Sequence, residues 1–199
     1  PQRALFGGGN RNSSLSNVID YIDIATTGNA TDFGDRTVTV QDVTALSSST
    51  RGCFLGGNQG SFSNITNVID YVTIASAGNA TDFGDLLTNN FSNATAANQT
   101  RGIVMGGWIA SDTLTATIQY ITIASTGNAA SFGSLSASKE GRAGCASPTR
   151  GLKMGGYDGA NATNNIEYVT IGTTGNSTDF GDVSGLSRYN GGLSDSTRG

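Results

Sequence analysis

Apolar residues in this chain come in short runs broken by Gly, Ser, Thr and Asn, and they alternate instead of recurring at helical spacing. In Val68-Ile69-Asp70-Tyr71-Val72-Thr73-Ile74 one face carries Val68, Val72 and Ile74 while the other carries Ile69 and Tyr71. Both faces are therefore apolar, and such a strand needs cover on both sides. Its counterparts predict four short strands per segment, exemplified by Ala143–Ala146 (A), Gly151–Gly155 (B), Asn165–Ile171 (C) and Thr178–Val183 (D). The joins are turn chemistry: Ser-Pro-Thr-Arg-Gly between A and B, and Thr-Gly-Asn between C and D.

The pattern repeats. Arg3, Arg51, Arg101, Arg150 and Arg198 recur at intervals of 48, 50, 49 and 48 residues. Each of the first four is followed by an apolar run ending in a Gly pair, at Gly8-Gly9, Gly56-Gly57, Gly106-Gly107 and Gly155-Gly156. Tyr21, Tyr71, Tyr120 and Tyr168 follow, with Gly-Asn seven residues beyond each and Phe-Gly twelve beyond. The chain reads as a single repeat domain, 1–199, with units 3–50, 51–100, 101–149 and 150–197, and with 198–199 starting a fifth unit or closing a ring. Tyr to the next Arg is 30 residues in every unit, so one loop, between the Gly pair and Tyr, absorbs all the variation in length.

A unit of about 40 to 50 residues with four strands, none able to bury both faces alone, predicts an all-β propeller of four four-stranded blades. The alternatives are a section of a larger propeller, or a β-solenoid, whose rungs are usually shorter. The chain starts at strand B and ends just after an A-type segment, Gly191–Asp195, which predicts that blade one takes its A strand from the C-terminus and closes the ring.

Composition narrows the function. There is no His, which removes Ser-His-Asp and Cys-His nucleophile systems and histidine-ligated zinc or copper, so the expectation is a non-enzymatic protein without a cofactor. Net charge is −4 and the two lysines, Lys139 and Lys153, stand apart, so no basic stripe serves nucleic acid. No apolar run is long enough for a membrane span and no signal-peptide pattern is visible. Pro1 in place of an initiator Met points to processing or to a longer chain.

The order of residues resembles the kelch motif across all four units: an arginine in the first strand (Arg142, or Arg188), a Gly pair closing the second, a tyrosine in the third and an aromatic in the fourth. It departs in placing Phe33, Phe83, Phe132 and Phe180 where kelch has tryptophan. The phrases Asn-Ala-Thr-Asp-Phe-Gly-Asp at Asn29–Asp35 and Asn79–Asp85, with Ala143–Gly151, resemble repeats in virion structural and fibre proteins of marine tailed phages, notably cyanophages. The resemblance implies a component of the virion exterior.

Several residues carry candidate chemistry. Asp35, Asp85 and Asp182, with Asp32, Asp82 and Asp179 three residues earlier, could form an oxygen cage for calcium; one turn supplies too few oxygens, and unit three has Ser131 and Ser134 instead, so solvated turns are expected and no metal site is assigned. The repeated arginines could meet carboxylates or turn carbonyls between blades; Ser134 ahead of Arg150 breaks a strict ion-pair scheme, which favours carbonyls. Cys53 and Cys145 fall on different strand types and read as small buried hydrophobes. The Asn-x-Ser/Thr sequons, such as those at Asn12, Asn29 and Asn64, follow from an Asn-, Ser- and Thr-rich composition.

The two ends of a blade are treated differently. The A–B and C–D turns hardly vary, whereas the B–C loops, Asn10–Asn17, Asn58–Thr66, Trp108–Ala116 and Tyr157–Asn164, differ in length and content. Variable loops on a rigid scaffold are where recognition sits. Binding is therefore expected at Asn12, Phe62, Trp108, Tyr157 and Asp158, where aromatic plates beside polar groups suit sugar faces and protein hot spots alike. The competing reading is that Trp108 and Tyr157 only cover a blade edge. The expected partners are other virion proteins or a host-surface receptor, with a glycan or a second copy as further options; the alternative is a free, extracellular lectin-like module or adhesin.

Overall fold

The computed structural model describes residues 2–110 and 112–194, and every regular element among them is a strand. β1 (Arg3–Gly7) leads through a small hairpin, β2 (Asn10–Arg11) and β3 (Ser14–Leu15), to β4 (Val18–Asp23) and β5 (Thr31–Asp35). A second sheet is β6 (Thr44–Ser47), β7 (Arg51–Ser61), β8 (Asn64–Thr73) and β9 (Thr81–Asp85). The third runs β10 (Ala94–Ala97), β11 (Arg101–Met105), then a hairpin of β12 (Trp108–Ile109) and β13 (Thr113–Leu114), then β14 (Thr117–Thr122) and β15 (Ala130–Ser134). The fourth is β16 (Gly144–Ala146), β17 (Arg150–Tyr157), β18 (Ala162–Thr170) and β19 (Thr178–Ser187). All pairs are antiparallel, and each sheet follows chain order, with the β2–β3 hairpin inserted between β1 and β4 and the β12–β13 hairpin between β11 and β14.

The core lies between sheets. Ile19, Phe33, Phe54 and Val72 fill the space between the first and second. Leu55, Ile69, Phe83, Val104 and Ile121 fill that between the second and third. Ile103, Ile118, Phe132, Val169 and Ile171 fill that between the third and fourth. Val72 and Ile69 of β8 thus face opposite neighbours, as the doubly apolar strand required. Cys53 and Cys145 are buried free thiols within these layers, also as expected.

Two expectations are corrected. The B–C segments are not open loops: in the second sheet β7 and β8 stay paired as far as Ser61 and Asn64, and in the fourth β17 and β18 stay paired as far as Tyr157 and Ala162. In these two sheets the Gly pair makes a bulge in a continuing ribbon, as where Gly56 and Gly57 both adopt positive φ and let the register shift; in the first and third sheets β1 and β11 end at Gly7 and Met105, just before their Gly pairs, as expected. The first sheet, moreover, has three strands, β1-β4-β5. The C-terminal A-type segment does not complete it: Gly192 packs on Gly144, and Ser194 exchanges hydrogen bonds with Ala146 of β16. A segment sits where the A strand of a next sheet would sit, since β6, β10 and β16 stack on one another in the same way. Asp195, Arg198 and the expected fifth-unit start lie outside the described residues.

Three repeated contacts hold neighbouring sheets together. Arg3, Arg51 and Arg101 lie over the rings of Tyr21, Tyr71 and Tyr120 of their own sheet, 4.4–4.6 Å from the centroid. Each also donates to a carbonyl of the next sheet, Ile74, Ile123 and Ile171, at 2.8–2.9 Å. Carbonyls, not carboxylates, are the partners, as the residue pattern favoured. At the outer edge Gly78, Gly127 and Gly175 donate their N–H groups to Phe33, Phe83 and Phe132 of the preceding sheet at 2.7–2.8 Å. The side-chain oxygens of Asn79, Asn128 and Asn176 accept from the N–H of Asp35, Asp85 and Ser134 at 3.0 Å. Lastly, the residue before each Tyr binds the connector leaving the preceding sheet: Asp70 takes Arg36 and Thr37, Gln119 takes the N–H of Leu87, and Glu167 takes the N–H of Ser136 and the ammonium of Lys139.

The outer-edge contact explains the glycine of Phe-Gly. A Cβ on Gly84 would lie 2.6 Å from the backbone of Gly127, whereas one on Gly181, at nearly the same φ (+133° against +138°), would meet nothing within 4 Å. Both substitutions to Ala bear the same conformational strain, and only the first also collides with a neighbouring sheet. In dilute denaturant titrations Gly84→Ala should therefore cost about 1–3 kcal/mol more than Gly181→Ala; equal losses would show that sheet-to-sheet contact does not set the requirement for glycine.

Candidate binding face

The connector that leaves each outer strand crosses to the inner edge of the next sheet and pairs there with the residue just after the Gly pair. Three bridges record this: Gln41 with Asn58, Phe91 with Trp108, and Glu140 with Tyr157. Each bridge joins two positions that the repeat leaves free in identity, so this end of the molecule carries the greatest chemical variety on a fixed backbone.

On the third and fourth sheets these positions build one aromatic row. Phe62, at the tip of the β7–β8 ribbon, packs edge-on against Phe91 and Trp108, with centroids 5.4 and 5.9 Å away. Trp108 lies 6.4 Å from Tyr157 at an interplanar angle of 33°. The Arg188 guanidinium caps the end, 3.9 Å from the Tyr157 ring and 4.6 Å from that of Tyr189. Phe62 and Tyr189 are 51% and 67% exposed, so the two ends of the row face solvent, while Trp108 and Tyr157 are half-buried.

Beneath the row lies Glu140, only 3% exposed. One carboxylate oxygen accepts from the Trp108 indole N–H and the other from Arg188 Nε at 2.7 Å. A buried carboxylate held by two donors fixes both the ring and the cation that flanks Tyr157. Lys153 lies below, donating to the backbone oxygens of Glu140 and Gly155 at 3.2 and 2.9 Å. Burial, reinforced by the nearby charge of Lys139, lowers its ammonium from 10.5 to about 8 against the opposing pull of Glu167 and Glu140.

Of the five residues expected from the sequence, the structure brings Phe62, Trp108 and Tyr157 into this row. Asn12 stands apart at the exposed turn of the β2–β3 hairpin, at φ +51°. Asp158 closes its own turn by accepting the N–H groups of Ala160 and Asn161, and these bonds, Asn161 first, hold its carboxyl below the usual range. It borders a polar groove that includes Lys139, Thr163, Asn165 and Glu167, in which Thr163 Oγ1 and Asn165 Oδ1 are buried without a hydrogen-bond partner. The Phe-Gly-Asp acids lie on the outer strands, and among the described residues no three His, Cys, Asp or Glu side chains converge as a metal would need.

Phe91, Glu140 and Arg188 are members of the site that the sequence reading missed. A signal existed: Gln41, Phe91, Glu140 and Arg188 each stand ten residues before a repeated arginine, the same point of the repeat with four different side chains. Comparison with known proteins adds no identity, since no family model and no curated protein matches the chain.

The burial of Lys153 makes stability under this face pH-dependent. In the folded chain the ammonium is charged only below about 8, in the unfolded chain up to 10.5, so between those values unfolding takes up a proton and stability rises with pH. Cys53, pushed up to about 12 chiefly by burial, acts oppositely from 9 upward. Between about pH 7 and about pH 9 the parent protein should gain about 1 kcal/mol relative to Lys153→Met, in which Cys53 is unchanged; parallel stability profiles would show that Lys153 stays charged.

Proposed function

We propose that this chain is a non-enzymatic recognition module, a structural or fibre component of a virion exterior, whose B–C end engages a neighbouring virion protein or a host-surface glycan or protein. The observation that carries the binding role is the row of Phe91, Phe62, Trp108 and Tyr157, held from below by Glu140 and capped by Arg188. Rings fixed by a buried carboxylate lose little freedom when a partner lies on them, which is the property of a hot spot. The assignment to a virion rests on the resemblance of the repeat phrases to marine phage structural proteins.

For the architecture we infer a kelch-like propeller arrangement, of four blades or as a section of a larger ring. Supporting it, neighbouring sheets come closest at their first strands, β6, β10 and β16, as blades converging on an axis do. A free lectin-like module is the second reading, favoured by the polar groove beside Asp158, whose lining includes Asn164, Ser177 and Asp179, side chains suited to sugar hydroxyls.

Alanine at Phe62 and at Tyr157 tests the row. Each should weaken binding at least about tenfold, with the melting temperature of the exposed Phe62→Ala variant nearly unchanged. Copurification with capsid or tail proteins, lost in both variants, supports the virion role; tight glycan-array binding by the isolated chain, lost likewise, supports the lectin role. Unchanged binding in both variants would reduce the row to cover for the sheet edge.

A further inference from the structure

The two end sheets expose the two halves of the contact that joins every internal pair. On the last sheet Arg150 still stacks on Tyr168, 4.6 Å from its centroid, but its guanidinium has no carbonyl to bind among the described residues, and it is exposed where Arg51 and Arg101 are not. Phe180 is 52% exposed, against 2–4% for Phe33, Phe83 and Phe132. The register of Asp182 and Gly181 against β18 is that of Asp35 and Gly34 against β4, so the outward edge of β19 has the same form as the edges that bind a following sheet.

The first sheet carries the complementary half. Ile24, whose counterparts Ile74, Ile123 and Ile171 supply the carbonyl for an arginine and are at most 7% exposed, is 65% exposed. The turn Gly28-Asn29-Ala30 matches Gly78-Asn79-Ala80, which bonds to Phe33 and Asp35, yet it lies exposed and makes no such bond among the described residues. Asp20, at the position where Asp70 and Glu167 receive a preceding connector, is met among the described residues only by Arg11 of the β2–β3 hairpin. Phe6 is 55% exposed where Phe54, its counterpart, is 3% exposed against the preceding sheet.

We propose that a second copy of this chain docks its first sheet on the fourth sheet of its neighbour, so that head-to-tail association repeats the internal sheet-to-sheet contact. Arg150 then donates to the partner's Ile24 carbonyl, Phe180 is covered by the partner's first sheet, and the Gly28-Asn29 turn bonds along β19. A second copy is favoured because the complementarity is bond for bond, between groups that the same sequence pairs three times within one chain. Such a contact is heterologous, and it closes into a ring or extends into a filament according to the rotation per sheet.

The test uses the 199-residue chain and two variants at exposed positions, Phe180→Lys on the tail and Ile24→Lys on the head, with sedimentation equilibrium as the readout and circular dichroism as the control for folding. The parent should associate with rising concentration, and each variant alone should bind itself at least about tenfold more weakly. Mixed together, they should form a discrete dimer and nothing larger, because one intact head and one intact tail remain. Self-association of either variant at the parental level, or a mixture that stays monomeric, would overturn the proposal. So would a parent that is monomeric throughout, whether its ends are idle or closed on each other. If a lysine variant loses its fold, Arg150→Gln and Asn29→Ala replace the pair with the same expectations.

Discussion

An arginine that stacks on a tyrosine of its own sheet and donates to a carbonyl of the next is the contact on which the architecture depends. Its two halves act differently. The ring holds the guanidinium in place, so little side-chain freedom remains to be lost when the hydrogen bond forms. The carbonyl it reaches, at Ile74, Ile123 or Ile171, ends a C strand whose own ladder is finished there. A main-chain acceptor makes the link independent of which residues line the neighbour, so it recurs at all three internal boundaries while the surrounding side chains change. A carboxylate partner would have tied each arginine to a particular residue on the next sheet.

Much of the remaining sequence follows from the need to bring sheets that close. Gly34, Gly84 and Gly133 leave no room for a side chain because the next sheet's Gly-Asn turn lies against them. The Asn of that turn supplies the side-chain acceptor, so Gly-Asn is a docking element and not merely a reversal of the chain. The third contact is freer in chemistry: a buried Arg36–Asp70 pair, a Gln119 amide and a Glu167 with Lys139 all serve the same place. For Glu167, burial would raise the carboxyl, but the donors from Ser136, Ser177 and Lys139 outweigh it and bring the value to about 2. A position that must be satisfied, but not in one particular way, shows up in the sequence as a polar residue of varying type.

How much of this was legible depended on where the information lies. Strand content, the doubly covered C strand and the arginine–carbonyl link were readable, the last because Ser134 breaks the acidic pattern before Arg150. The Gly pairs end the strand in the first and third sheets, as read, but make bulges in the second and fourth, since a bulge and a termination use the same residue. The missing A strand of the first sheet was not readable either. An A-type segment looks the same whether it pairs with the first β strand or stacks beside the fourth sheet, and only three-dimensional placement separates the two. Phe62, Trp108 and Tyr157 were found through the variable loops. Phe91, Glu140 and Arg188 were not, because they come from the preceding connector and meet the loops only across a sheet boundary.

That crossing also explains how a repeat protein can carry a distinct site. The stacking contacts occupy the arginine end of each sheet, the outer strand and the centre of the C strand, and none uses the bridge between connector and post-glycine residue. The bridge needs only backbone, so Gln41 with Asn58, Phe91 with Trp108 and Glu140 with Tyr157 fit it equally well. Side chains there are free to be chosen for what they present. The first bridge presents two amides, the second two rings, and the third a carboxylate and a ring, so chemistry changes along the stack while geometry does not. Glu140 is the one acid at these bridges, and it is buried. Its desolvation is costly unless both donors are present, and those donors are the indole and the guanidinium that complete the row.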